Sequence, residues 1–146
     1  MYDKPTLTQL IDAARLHLQA SIVPAVRADR KLYFQTLVAI NVLHIAQREI
    51  EHGDEHASAE WRRLAELDGR HDEPPAPLSA LQAALDTRNQ ALAQAIRAGD
   101  YDDQPSALFA HLQTTAIEAL QVANPRFLGR LLAEKNDPAL DAWHGR

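Results

Sequence analysis

Apolar residues recur at every third or fourth position along most of the chain, which is the spacing of an α-helix with one buried face. Thr6 stands before the first of these runs as a residue that can cap a helix, with Gln9 reaching back to the Thr6 amide. Pro24 lacks an amide proton and predicts an end or a kink near Val23. The first run consists of Leu7, Leu10, Ile11, Ala14, Leu18 and Ile22.

The strongest helical pattern covers residues 29–52, where apolar side chains point in almost every direction around the helix. A helix that is apolar on most sides is typically buried at the centre of a fold. Gly53 is predicted to end this helix, because glycine readily adopts the left-handed conformation that closes a C-terminus. Asn41 lies in the middle of the run, so we expect a buried amide that hydrogen-bonds across helices rather than a ligand contact.

In the rest of the chain, prolines and glycines again separate apolar runs that have helical spacing. Together the elements predict an all-α fold: a compact helical bundle of about five to six helices with a long central second helix. We expect a single domain over 1–146, with a core over about 5–133 and a loosely held tail over 134–146. The later elements are a short helix over 58–67, a proline-rich linker over 70–77, a helix over 78–98 capped by Gly99, a fifth helix opened by Pro105, and a sixth capped by Asn124.

The amino-acid composition excludes several kinds of functional site. The chain has no cysteine, which excludes disulfides, thiolate metal sites and a cysteine nucleophile. Its net charge of −5 argues against a nucleic-acid partner, since phosphate binding requires clustered cations. No apolar stretch is long enough to cross a bilayer, and no basic segment followed by an apolar run opens the chain. We therefore expect a cytoplasmic protein with neither a membrane nor a nucleic-acid partner.

Two short patterns resemble metal-binding motifs. His52 to His56 fits the H-x-x-E-H spacing of a zinc hydrolase with Glu55 as base, but Gly53 interrupts it at a predicted helix end. Glu49 and His52 form half of a di-iron pair, and no second E-x-x-H exists. There is also no nucleophile elbow and no phosphate-binding glycine loop. The sequence therefore predicts no catalytic residue, no metal and no cofactor.

Four segments in fixed order carry a resemblance to a known family. They are Pro5-Thr6, Val38-Ala39-Ile40-Asn41-Val42-Leu43 with Arg48-Glu49, Ala95-Ile96-Arg97-Ala98-Gly99, and His111-Leu112 through Asn124-Pro125-Arg126-Phe127-Leu128. With these segments the chain resembles the DUF6285 family of uncharacterised bacterial proteins. The resemblance implies association with phosphotransferase-like kinases and with acyl-CoA dehydrogenases, and it selects Asn41, Arg48 and Glu49 together with Asn124, Pro125, Arg126 and Phe127 as candidate motif or interaction residues.

Two functional hypotheses remain open. The first is a non-catalytic helical accessory module that binds a metabolic enzyme and also forms a homo-oligomer. Under this hypothesis the segment 124–132, rich in apolar residues, is either an interface or a lid over the core. The second is a small helical enzyme or small-molecule-binding protein with a polar site near Asn41 and Arg48. A concave polar site would favour the second, whereas an exposed apolar patch would favour the first.

Overall fold

The computed structural model describes residues 4–135, and within this range every regular element is helical. The all-α prediction is therefore confirmed, including the long helix. The elements in chain order are α1 (Leu7–His17), a π-helical turn (Leu18–Ile22), α2 (Val23–Ala25), α3 (Arg30–Leu67), α4 (Leu78–Ala98), α5 (Pro105–Ala123) and α6 (Pro125–Lys135).

The chain divides into two units, Met1–Gly53 and Asp54–Arg146. We refer to them as unit 1 and unit 2. The boundary falls inside α3. The single domain over 1–146 stays a prediction, and most of the predicted tail over 134–146 lies outside the described residues.

Unit 1 begins as its local sequence predicts. The Thr6 hydroxyl accepts a hydrogen bond from the Gln9 amide at 3.2 Å, and the Gln9 side chain accepts one from the Thr6 amide at 3.0 Å. These reciprocal bonds form a capping box. Just before Pro24, α1 continues into the π-helical turn Leu18–Ile22, where the Val23 amide donates a hydrogen bond to the Leu18 carbonyl five residues back. The missing amide proton of Pro24 is thus accommodated by a local change of helical pitch.

The predicted helix end at Gly53 is wrong. α3 is one continuous helix of 38 residues that joins the two segments expected at 29–52 and 58–67. Gly53 lies in its interior, whereas the positive φ values within residues 4–135 belong to Gly69 and Gly99. A glycine inside a helix lowers the stability of that helix by only about 1 kcal/mol relative to alanine. The helical segments on both sides of Gly53 therefore join into one helix despite the glycine.

Replacing Gly53 with alanine tests this continuity. A Cβ atom at Gly53 would meet only the flexible end of the Glu49 side chain, whose Oε1 lies 3.1 Å away. We therefore expect Gly53→Ala to raise the free energy of unfolding by about 0.5–1 kcal/mol. Gly99→Ala is the matched control and should lower it, because Gly99 has a φ of 83°. Destabilisation by both variants in urea titrations would contradict a continuous helix.

Unit 2 holds the hydrophobic core of the described chain. Leu64 of α3 is only 1% exposed and forms one cluster with Ala57 and Trp61 of the same helix and with leucines of α4. Leu108 of α5 packs against this cluster, and α6 buries Leu128 while contacting α5. The α4 members of the cluster are Leu81, Leu85 and Leu92.

Three helix ends in unit 2 lie where the sequence predicts them. Gly99 closes α4 in the left-handed conformation, Pro105 occupies the first turn of α5, and the Asn124 side chain accepts a hydrogen bond from the Phe127 amide at 3.1 Å. Each of these contacts forms between near neighbours in sequence. These local signals therefore position α4, α5 and α6 without help from distant residues.

Unit 1 lacks a core of this kind. Every buried residue found between residues 4 and 135 lies at Ala57 or beyond, so none belongs to unit 1. The apolar residues of α3 between Leu32 and Ile50 are half-buried or exposed. The expectation that the side chains of this stretch are buried is therefore wrong.

Candidate functional site

The most unusual surface of unit 1 is one side of α3, which we call the α3 face and define as Phe34, Leu37, Val38, Asn41 and Val42. Its apolar side chains are strongly exposed, from 40% for Leu37 to 66% for Phe34. Steps of three and four residues place these positions on one stripe of a helix. Exposed apolar stripes of this length are a hallmark of surfaces that bind another protein.

Asn41 lies within this stripe and is exposed, so the prediction of a buried amide is wrong for the single chain. The reason is the direction in which α3 faces α1. Gln47 donates a hydrogen bond to the Asp12 carboxylate of α1 at 3.5 Å. Since six residues span one and two-thirds turns, Gln47 and Asn41 lie on different sides of α3. Asn41 therefore points away from α1.

Arg48 and Glu49 follow the α3 face along the same helix. Arg48 is half-buried and Glu49 is exposed. The Glu49 carboxylate lies along the helix toward Gly53. Three cavities, of about 420, 280 and 170 Å³, are lined by residues of unit 2 and not by Asn41, Arg48 or Glu49.

A second exposed apolar surface lies on α6. Leu128 turns inward, while Phe127, Leu131 and Leu132 are 38%, 40% and 44% exposed. We call these three residues the α6 surface. The Arg130 guanidinium lies 5.7 Å from the centre of the Phe127 ring. The predicted segment 124–132 thus contributes one residue to the core and several to the surface.

The other candidate-motif residues of this segment are exposed as well. Asn124 is the helix cap described above, and Pro125 occupies the first position of α6. The exposed Arg126 follows it. Asn124 and Pro125 therefore shape the start of α6, while Arg126 and Phe127 contribute to its surface.

A polar cluster in unit 2 escaped the sequence analysis. The Arg88 guanidinium stacks over the Trp61 ring, 3.8 Å from its centre, and donates two hydrogen bonds to the Asp72 carboxylate at 2.9 and 3.1 Å. The Trp61 indole donates to the Asp72 carbonyl at 2.9 Å. These contacts fasten the proline-rich linker to α3 and α4. No short sequence pattern predicts these contacts, because Trp61, Asp72 and Arg88 are far apart in sequence and come together only in the folded chain.

Beside this cluster lies a cavity of about 420 Å³, lined in part by Asp68, Arg70, Arg88 and Tyr101. The Tyr101 hydroxyl donates to the Asp68 carboxylate at 2.9 Å. Burial and the negative charge of Asp68 raise the pKa of Tyr101. Asp68 and Tyr101 thus bind each other and Arg88 binds Asp72, while the Nη1 atom of Arg88 is buried without a hydrogen-bond partner.

A half-buried ion pair joins α3 to α5. Arg63 donates to both carboxylate oxygens of Glu118, at 2.9 and 2.5 Å, and to the Thr115 hydroxyl at 3.3 Å. His111 is buried nearby, with its Nδ1 atom unpartnered. Burial, and secondly the positive charge of Arg63, lower the pKa of His111. Both effects favour the neutral form of the imidazole.

The histidine motif has a different setting from the one predicted. His52 and His56 lie one turn apart on the continuous α3 helix, so Gly53 does not disrupt their spacing. Both side chains make interactions with neighbouring groups. Across residues 4–135, no group of three or more histidine, aspartate or glutamate side chains is arranged to hold a metal ion. In the same range, no helix is long and apolar enough to cross a bilayer.

The fold and these surfaces define an all-helical protein with extensive exposed apolar faces. Residues 24–127 match the family model described as a domain of unknown function, DUF6285. The match covers most of the chain, so the protein belongs to this family. It includes α3, α4 and α5 and ends at the start of α6. Neither a curated protein nor a solved structure matches the chain.

Proposed function

We propose that the chain is a non-catalytic helical interaction module of the bacterial cytoplasm that binds a metabolic enzyme and also associates with itself. One observation carries the proposal. Among the described residues, sixteen large hydrophobic side chains are exposed, whereas nine hydrophobic residues are buried. Folded proteins that act alone seldom leave so much apolar surface in contiguous stripes. Such surface is stabilised when a partner covers it.

The α6 surface suits an enzyme partner of particular character. Exposed apolar side chains are flanked on the same helix by Arg126, Arg130 and Lys135, with Glu134 as the acid beside them. This positive helix belongs to a chain whose net charge is −5. A partner with an apolar groove and an acidic rim would complement it. By the family resemblance, that partner is a phosphotransferase-like kinase or an acyl-CoA dehydrogenase.

The alternative is a small-molecule-binding protein, and the cavity beside Arg88 is the observation that favours it. Two features support the interaction module instead. Arg88 is neutralised by Asp72, and Asp68 accepts the hydrogen bond from Tyr101, so few polar groups converge on free space. The candidate residues Asn41 and Arg48 do not line this cavity.

Binding measurements with purified enzymes test the proposal. The parent chain should bind the kinase or the dehydrogenase in calorimetry, and Phe127→Ser or Leu131→Ser should weaken that binding by about 10-fold or more. Leu112→Ser on α5, which is 43% exposed, serves as the matched control and should bind like the parent. Absence of binding to both enzymes would contradict the proposal. Equal loss in the control would contradict the assignment to α6.

A further inference from the structure

The α3 face has the spacing of a helix-pairing seam. Phe34, Leu37, Asn41 and Ile45 follow one another at steps of three or four residues, as residues do where two helices pack along their length. Ile45 is half-buried and the others are exposed. Since no residue of unit 1 from Lys4 onward is buried, and only Ile45 of the seam is partly covered, most of the seam is exposed within its own unit. A helix from another molecule would complete it.

The charged residues at the two ends of the seam indicate which partner helix would complete it. Lys31 lies at one end and Glu49 at the other, and both side chains are exposed. The two residues are eighteen positions apart, which equals five full turns, so the two charges lie on the same flank of the helix. A second copy in the antiparallel direction would bring Lys31 of each chain close to Glu49 of the other. A parallel copy would oppose like charges instead.

Asn41 lies one residue from the midpoint between Lys31 and Glu49. In an antiparallel pair centred here, the two Asn41 side chains meet near the two-fold axis. A carboxamide both donates and accepts hydrogen bonds, so the two can pair reciprocally. Leu37 and Ile45, each four residues from Asn41, then lie opposite each other. A polar asparagine inside an apolar seam is a known determinant of register and oligomeric state.

We infer that the α3 face binds the same face of a second copy in an antiparallel, two-fold symmetric arrangement, with Asn41 near the axis and Lys31 opposite Glu49. This inference deepens the self-association in the proposed function and rests on it. It is independent of the α6 surface and of any enzyme partner. The interface is isologous, so each favourable contact occurs twice.

Single cysteines test the geometry, because the chain has no cysteine of its own. A disulfide requires Cα atoms about 4.4–6.8 Å apart. Under mild oxidation Asn41→Cys should form a covalent dimer, whereas Lys31→Cys should not, since its two copies would lie about 30 Å apart along the helix. Cross-linking of both variants would indicate a parallel pair, and cross-linking of neither would indicate that the seam does not pair. Either result would overturn the inference.

Charge reversal supplies a second test with the chain alone. Lys31→Glu and Glu49→Lys should each weaken dimerisation by about threefold or more in sedimentation experiments at low salt. The double variant should restore dimerisation toward the parent level, because both reversed pairs attract again. Single variants that dimerise as well as the parent would overturn the antiparallel assignment. Loss of enzyme binding with normal cross-linking would instead contradict only the proposed enzyme partner.

Discussion

Leu64→Ala is expected to lower the free energy of unfolding by about 2–5 kcal/mol, which is among the largest effects of a single substitution in this chain. Leu64 is 1% exposed and belongs to the cluster that joins α3 to α4. Removing its branched end leaves a cavity against Trp61, Leu81 and Leu85, and these large side chains refill such space only in part.

The measurement is urea unfolding at a fixed protein concentration, because the proposed dimerisation would make apparent stability depend on concentration. Leu112→Ala is the matched control, since Leu112 is 43% exposed on α5, and its effect should stay below about 1 kcal/mol. If Leu64→Ala costs no more than this control, then the cluster around Leu64 is not the core of unit 2.

Leu37→Asp should weaken self-association by at least about 30-fold, because it places a carboxylate at an apolar position of the proposed interface. Leu37 is 40% exposed in the single chain, so the fold itself has room for the new charge. Ala39→Asp is the matched control: it lies two residues away and is exposed on another side of α3. Both variants place aspartate in the same helix and differ mainly in the side they face.

Sedimentation equilibrium gives the dimer dissociation constant for each variant, and circular dichroism verifies that both remain helical. The expected pattern is a monomeric Leu37→Asp beside a dimeric Ala39→Asp. Equal weakening by both variants would mean that aspartate destabilises unit 1 as a whole. The α3 face would then have no special part in association.

Local signals in the sequence predicted a large share of the fold. The Thr6 capping box, the Gly99 cap and the start of α6 at Asn124 all form as expected, because each depends on residues within a few positions of one another. The proline-rich linker also lies where its composition placed it. Gly53 was the exception, since a glycine can either end a helix or be carried within one.

Burial was harder to predict than helix formation. An apolar pattern shows that one side of a helix is suited to packing against another element. It does not show whether that element belongs to the same chain or to another one. For this reason the sequence pattern predicts burial for the middle of α3 and for Asn41, whereas the structure leaves them half-buried or exposed. The cluster of Trp61, Asp72 and Arg88 was missed for another reason. Its contacts depend on how α3, the linker and α4 pack, which no short pattern encodes.

The mass of the parent chain in solution decides whether the exposed α3 face makes this protein an association module. Analytical ultracentrifugation over a dilution series should show twice the mass of one chain at high concentration and a reversible decrease toward the mass of one chain on dilution. The mass of one chain at every concentration, with the helices intact by circular dichroism, would show that the α3 face does not mediate self-association.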